Sequence, residues 1–327
     1  MIITRTPFRI SFVGGGSDLE SFYARHTGAV ISTSINKYMY ISSHKFFEED
    51  KIRVKYSKTE TVSQAEELQH PILRTVLKKF NVKGGLEFSS IADVPSGTGL
   101  GSSSAFTVGV LHNLHLINKK PTDKAHLAAE ACHVEIDLLK EPIGKQDQYA
   151  TAIGGLNLIE FESSGNVKIT PVEIANEIQS ALQHNLLMFY TGDQRSASNI
   201  LAEQKKNLEQ EEKFNMLKSM VKLVYDMKSS LDSGSIDDFG KVLHENWILK
   251  KQLASGISNT TIDLAYETAM KNGALGGKLL GAGGGGFLLF YCPVHMQHKL
   301  ITSLKPLRQF DFKFDQEGSK LIHFSDE

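Results

Sequence analysis

Residues 93–105 constrain the fold of this chain more than any other stretch. They read Asp93-Val94-Pro95-Ser96-Gly97-Thr98-Gly99-Leu100-Gly101-Ser102-Ser103-Ser104-Ala105. A strand-like run, Leu86 to Ala92, leads in, and an apolar run, Ala105 to Leu111, leads out as a buried helix. Alternating glycines let a backbone turn tightly, take positive φ and come close to a ligand. Serines at a helix start sit where free N–H groups and the helix dipole favour an anion. The combination predicts a phosphate cradle. It is not the common P-loop, because no Gly-Lys-Ser/Thr follows the glycines.

At 327 residues the chain can bury a large core and is expected to split into two domains. The net charge of −1 gives no general pull toward nucleic acid or an anionic membrane, so a phosphate site has to be local. Cys132 and Cys292 are too few for a disulfide framework and point to a reducing compartment. Met1 to Arg5 has no secretory pattern, and no apolar run approaches the roughly 20 residues of a spanning helix. The expectation is a cytoplasmic protein without nucleic-acid or membrane partners.

Along the chain, Arg9 to Val13 is short and β-like, and Gly14-Gly15-Gly16-Ser17-Asp18 ends it. Ala29 to Ile35 and Tyr38 to Ser43 alternate like two strands, with Asn36-Lys37 as a turn between them. His70 to Phe80 predicts a helix, and Pro71 suits its first turn. Ala105 to Ile117 and Thr122 to Leu139 predict two more, with Thr122 as an N-cap. A second half begins between Glu162 and Asn176. Leu186 to Tyr190 is a buried-strand signal, and Ser196 to Leu231 has helical periodicity with a charged, solvated face. Further helical patterns lead to Gly281-Ala282-Gly283-Gly284-Gly285-Gly286 and the strand Phe287 to Tyr291.

Glycine clusters thus occur at 14–16, 97–101 and 281–286, each beside a strand. Any one alone is as readily a tight turn as a binding loop. Asp147 alone reads as a helix cap, and Glu135 and Asp137 as solvent-facing charges. Asp238-Phe239-Gly240 spells the protein-kinase magnesium triplet but lies in a helical pattern, without the His-Arg-Asp catalytic loop. Asn259-Thr260-Thr261 is a glycosylation sequon without secretory context. His112 and His115 share a helix face rather than metal-ligand spacing.

Taken together, the glycine segments resemble the GHMP family of small-molecule kinases. Arg5 to Asp18 is similar to its first motif, Pro95 to Ala105 to its Pro-x-Gly-x-Gly-Leu-Gly-Ser-Ser motif, and Lys278 to Gly286 to its third, in family order. The Gly-Gly-Gly-Ser-Asp form of the first motif, and Tyr190 to Ser198, look like the branch acting on D-glycero-D-manno-heptose 7-phosphate, with fucose kinases as neighbours. Galactokinases carry a Gly-Glu-His-Thr-Asp form instead.

The resemblance implies an α+β fold of two domains. A ribosomal S5 domain 2-like domain would cover 1–170, and a ferredoxin-like domain with extra helices 171–327. It implies ATP and Mg²⁺ as cofactors and a small-molecule sugar phosphate as partner. Pro95, Ser96, Gly97, Gly99, Leu100, Gly101, Ser102, Ser103 and Ser104 would wrap the triphosphate. Ser103 and Glu135 would hold the metal, in keeping with the preference of Mg²⁺ for oxygen ligands. Gly144 to Gln148 matches the Gly-x-x-Asp-Gln segment of galactokinase-like members, making Asp147 the general base. Glu135 precedes Asp147 by twelve positions, the galactokinase offset. Arg9 would stand beside the base and the transferred phosphoryl. Gly14, Gly15, Gly16, Ser17 and Asp18 would bind the substrate, with Gly283 and Gly284 approaching it. Arg195, Lys145 and Lys37 are candidates for a distal phosphate, and Arg195 is preferred for its bidentate fork. The implied reaction is phosphorylation of the heptose C1 hydroxyl to the 1,7-bisphosphate, feeding nucleotide-activated heptose for surface polysaccharide. Another anomeric sugar kinase and a non-catalytic sugar- and ATP-binding protein are the alternatives.

Overall fold

The computed structural model describes residues 1–192 and 197–325. In chain order its elements are β1 (Ile2–Val13), α1 (Glu20–Tyr23), β2 (Gly28–Lys45), β3 (Ile52–Lys55), β4 (Thr59–Val62), α2 (Pro71–Lys79), β5 (Leu86–Ala92), α3 (Ser102–Ile117), α4 (Lys124–Cys132), α5 (Gln146–Ile153), β6 (Leu156–Phe161) and β7 (Val167–Pro171). There follow α6 (Asn176–Asn185), β8 (Leu186–Tyr190), α7 (Ala197–Asn207), α8 (Glu211–Asp232), α9 (Ile236–Lys250), α10 (Thr260–Lys271), β9 (Gly276–Leu279), β10 (Phe287–Tyr291), α11 (Val294–Ser303), β11 (Arg308–Gln309), β12 (Phe314–Asp315) and β13 (Lys320–Phe324).

The architecture is α+β, with two mixed layers of sheet and helix. The larger sheet runs β13-β1-β2-β5-β3-β4, with β12 and β6 also on β2 and β7 on β6. The smaller runs β11-β8-β10-β9, with antiparallel pairing throughout. The two last strands of the chain return to the larger sheet, β12 against β2 and β13 against β1. A division at residue 171 therefore leaves that sheet with two strands drawn from the later segment.

Three local readings differ from the sequence expectation. First, Ala29 to Ser43 is one continuous strand, not a hairpin. Its first half pairs with β6 and its second with β5, while β1 runs along both. Asn36 and Lys37 are the two extra residues where the register slips opposite Pro7 and Phe8, and Asn36 exchanges hydrogen bonds with Lys313. Second, the cap of α4 is Asp123, which accepts from the His126 amide at 2.8 Å, one position beyond Thr122. Third, this helix does not run on to Leu139. It becomes a π-helix at His133–Leu138, the kind of local widening that often marks a functional position. The Asn259 sequon is spent as the N-cap of α10, its side chain accepting from Ile262 N at 3.0 Å.

Helices α8 and α9 pack on the larger sheet, with Phe12 of β1 edge-on to Phe239 of α9 at 5.1 Å. Lys278 of β9 donates to the carbonyls of Ser11 (2.7 Å) and Phe12 (2.9 Å), tying the smaller sheet to the end of β1. The site lies at this junction. Among the described residues no helix is long and apolar enough to cross a membrane.

Candidate active site

The end of β1, the 93–101 loop and the starts of α3 and α5 converge with α9 and the β9–β10 turn on a cavity of about 570 Å³. One side of it is the predicted glycine-serine loop. Gly97, Gly99 and Gly101 have φ of 74°, 84° and 73°, in the left-handed region. At Gly99 the reason is also steric. A Cβ there would sit 2.3 Å from the Leu280 carbonyl oxygen, while one on Gly281 would sit 2.6 Å from the Gly99 Cα. The second and third motifs therefore touch backbone to backbone, which no side chain permits. Ser96, Gly97, Gly99, Gly101 and Ser102 to Ser104 line the cavity. Leu100 is fully buried in the core and contributes only its carbonyl, which accepts from the Arg9 amide. Pro95 lines a more open adjoining recess.

Arg9 is the keystone of the polar side. It is 3% exposed, and its guanidinium clasps Asp147 through Nε to Oδ1 and Nη2 to Oδ2, both 2.8 Å. Its remaining nitrogen, Nη1, donates to the Gly99 carbonyl at 2.6 Å. One rigid planar fork thus sets the carboxylate against the glycine loop. Asp147 is in the first turn of α5 with a quarter of its side chain exposed to the cavity, so it is not the helix cap. Gly101 leaves room for this approach, since a Cβ on it would lie 3.5 Å from Asp147 Oδ2.

Glu135, far from facing solvent, is 1% exposed. The π-helical turn carries it onto the start of α3, where it accepts from Ser103 Oγ (3.0 Å), Ser104 Oγ (2.9 Å) and Gln148 Nε2 (2.7 Å). Burial raises its pKa, and the charge of Asp147 raises it further, against the lowering effect of the three hydrogen bonds. No cation pairs with it among the described residues. Asp137, two positions on, is exposed and bonds only His133. A carboxylate without a cationic partner beside a hydroxyl on the cavity wall suits a small hard cation.

The first motif is divided in its duties. Gly15, Gly16 and Asp18 line the cavity, whereas Gly14 and Ser17 do not. Gly14 N donates to Asn246 Oδ1 (3.1 Å), and Ser17 Oγ bridges the amide and carbonyl of Ala29, so both serve to fold the loop. Asp18 is buried, accepting from Gly16 N (3.0 Å), Gln146 N (3.2 Å) and Gln146 Nε2 (3.1 Å). Burial raises its pKa first, and the nearby Asp147 charge next. The third motif reaches the cavity through Lys278, Gly281 and Ala282. Gly283 and Gly284 turn away onto Ile257, whose carbonyl accepts from Gly284 N at 3.0 Å. Of the distal-phosphate candidates, Lys145 donates to Gly165 O (2.8 Å) and Lys37 lies over Phe310 (5.0 Å), and neither lines the cavity. Arg195 lies outside the described residues.

Two parts of the wall escaped the sequence reading. Met39, Tyr56, Ile72, Val94 and Phe106 make an apolar end, where His70 lies over Phe106 with ring centroids 4.9 Å apart. Burial lowers the His70 pKa, which keeps the ring neutral and stacking-competent. The only local signal was His70 preceding Pro71, where its ring caps α2. At the other end are the buried amines Lys250 and Lys278. Burial pushes Lys250 down to about 8 and Lys278 well below the usual lysine value. Lys250 ends α9, away from the motifs in sequence, and nothing local distinguishes it. Lys278 opens the third motif, but its residue type alone assigned it no place in the cavity wall.

Residues 67–155 match the family described as GHMP kinases N terminal domain, and residues 227–297 match GHMP kinases C terminal. The chain is 30% identical to D-glycero-alpha-D-manno-heptose 7-phosphate kinase of Campylobacter jejuni, over 98% of each protein. It is 26% identical to a galactokinase of Pyrococcus furiosus, over 87% of each. In fold it is similar to a D-glycero-D-manno-heptose 1-phosphate kinase from Bacteroides thetaiotaomicron, with a TM-score of 0.81, 20% identity and full coverage of both chains.

Proposed function

The chain belongs to the GHMP kinases and is an ATP-dependent phosphotransferase, and from that premise we propose that it phosphorylates the anomeric C1 hydroxyl of D-glycero-α-D-manno-heptose 7-phosphate. The observation that carries the chemistry is the Arg9 fork, which joins Asp147 to the Gly99 carbonyl and so fixes a base relative to a phosphate loop. The heptose assignment is supported by the Campylobacter jejuni relative and by the Gly-Gly-Gly-Ser-Asp form of the first motif.

In this reading the triphosphate lies along Ser96 to Ser104, and the base enters the apolar end beside Tyr56, His70 and Phe106. Asp147 accepts the proton of the C1 hydroxyl as that oxygen bonds to the γ-phosphorus and the bond to the β–γ bridging oxygen breaks. Arg9 holds the carboxylate in line and sets its fixed charge beside the phosphoryl in flight. Asp18 and the Gly15–Gly16 backbone take the sugar. Ser103 and Glu135 would hold Mg²⁺; when bound, the ion neutralises charge on the β- and γ-phosphates. The 1,7-bisphosphate would then serve nucleotide-activated heptose synthesis.

Steady-state assay against a sugar panel tests the substrate. Heptose 7-phosphate is expected to be turned over with the highest kcat/KM. Turnover of free fucose or galactose with heptose 7-phosphate inert would instead make this another anomeric sugar kinase. Arg195→Ala is expected to raise KM at least about tenfold for the phosphorylated sugar, a lost charge-assisted hydrogen bond, and to spare a neutral one. A loss of equal size on both would remove Arg195 as the distal-phosphate residue.

Glu135→Gln is expected to lower kcat by roughly 10²–10³-fold, the scale of one lost electrostatic stabiliser. It should also abolish the gain in melting temperature that Mg²⁺ with a non-hydrolysable ATP analogue gives the unaltered protein. Near neutral pH the variant without ligands should melt no lower than the parent, because a raised carboxylate pKa destabilises the fold as pH rises through it. An unchanged Mg²⁺ dependence would remove Glu135 from the metal site.

A further inference from the structure

Lys250 closes α9 with its ammonium in the wall of the cavity, beside the Gly15–Gly16 turn. It donates to the Gly15 carbonyl at 3.1 Å and to Gln204 Oε1 at 2.9 Å, both neutral acceptors. No carboxylate lies within ion-pair distance of it among the described residues. An ammonium has three donors, so among the described residues one N–H is left over. A buried charge held only by neutral groups weakens a fold, so a structural role alone is a poor reason for a lysine here.

Its surroundings are unusually short of partners. Ser11 Oγ, Gln146 Oε1 and Gln204 Nε2 are all buried and unbonded among the described residues. They cluster on the same turn. A Cβ on Gly15 would lie 3.8 Å from Ser11 Oγ and 4.0 Å from Gln146 Oε1, and one on Gly16 would lie 2.1 Å from Gln204 Nε2 and 3.4 Å from Lys250 Nζ. Buried polar atoms are nearly always paired, and Ser11 and Gln146 line the cavity, so two orphans on its wall describe a ligand that pairs them. Asp18 completes the set as an acceptor, and its charge acts on Lys250.

We propose that Lys250 and Asp18 bracket neighbouring hydroxyls of the acceptor sugar, one as donor and the other as acceptor, making Lys250 a specificity-determining residue rather than the holder of a distal phosphate. A hydroxyl can accept from the ammonium while its neighbour donates to the carboxylate. A phosphate dianion on Lys250 would be set against the Asp18 charge instead. Ser11 Oγ and Gln146 Oε1, on the same cavity wall, supply a further donor and acceptor that a polyol uses, while Gln204 holds Lys250 from behind. The inference rests on the acceptor being a sugar, as proposed above.

The test is a cycle of Lys250→Met against single-deoxy analogues of whichever sugar the unaltered enzyme turns over best. Lys250→Met is expected to raise KM for the full sugar roughly 10- to 100-fold, the range for a hydrogen bond to a charged group. With the analogue lacking the hydroxyl that Lys250 serves, the penalty should shrink to about twofold, and the other analogues should keep it. The phosphorylated sugar and its dephosphorylated form should be penalised alike. A penalty confined to the phosphorylated form would overturn the inference and make Lys250 the phosphate residue. An equal penalty across every analogue would reduce Lys250 to a scaffold for the Gly15 turn. Lys250→Gln serves in the same cycle if the methionine variant does not fold. Failure of the sugar reading shows separately, as no turnover of any sugar by the unaltered enzyme, and removes this inference with it.

Discussion

Asp147→Asn is expected to lower kcat/KM roughly 10²–10⁴-fold, the usual worth of a positioned general base. ATP affinity should stay within a few fold. The two expectations follow from one arrangement. Asn keeps an oxygen for one Arg9 donor but turns an amide toward the other, so one of the two 2.8 Å bonds is lost. The third bond of the guanidinium, to the Gly99 carbonyl, does not involve residue 147, and the phosphate loop keeps its anchor. Some stability goes with the change, because Arg9 is almost fully buried and loses its counter-charge, on the order of 1–3 kcal/mol for a group left partly unpaired. Activity is therefore to be measured well below the melting temperature of the variant, with nucleotide affinity measured by calorimetry on the same preparation. Undiminished turnover would remove Asp147 as the base. Loss of ATP binding in parallel would make it a fold residue.

Gly99→Ala should act the other way round, on binding before chemistry. An L-residue at φ 84° carries a penalty of about 1–2 kcal/mol, before any contact is counted. Its methyl would also need the space of the Leu280 carbonyl oxygen, 2.3 Å away, and both partners are backbone. The loop and the β9–β10 turn cannot both keep their places. The expected result is a fall in ATP affinity of at least about tenfold, matching that energy, together with a lower melting temperature. Ala at Gly192, at φ 86°, where a Cβ would meet nothing within 4 Å among the described residues, is the control for strain without a clash. Equal effects at the two positions would show that the contact between the motifs has no energetic weight.

The site was legible in the sequence where function needs a special backbone. The loop at 97–101 announces itself because positive φ and close approach restrict the residue choice to glycine. Pairwise chemistry at a distance was only partly legible. Arg9 and Asp147 are 138 positions apart, and the resemblance to a family brought them together before the strand and helix did. Glu135 looked like one more helix charge because the π-helical turn that buries it leaves no pattern of its own. Lys250 was invisible for the same reason, as a lysine at a helix end reads as a dipole partner. In the fold, β2 was split in two at Asn36-Lys37, a pair that spells a turn. The chain overrides it because β1 bonds on both sides of the slip and β12 pairs beside it, at Ser34 and Ile35. The return of β13 to β1 pairs residues more than 300 positions apart, beyond any local signal.

The most direct test of the whole account follows the reaction by ³¹P NMR with ATP, Mg²⁺ and D-glycero-α-D-manno-heptose 7-phosphate. ADP and one new sugar-phosphate resonance, coupled to the anomeric proton, are expected to appear in equal amounts while the 7-phosphate signal persists. A new phosphate coupled to any other ring position, or ATP left intact with this sugar while a neutral sugar is phosphorylated, would contradict it.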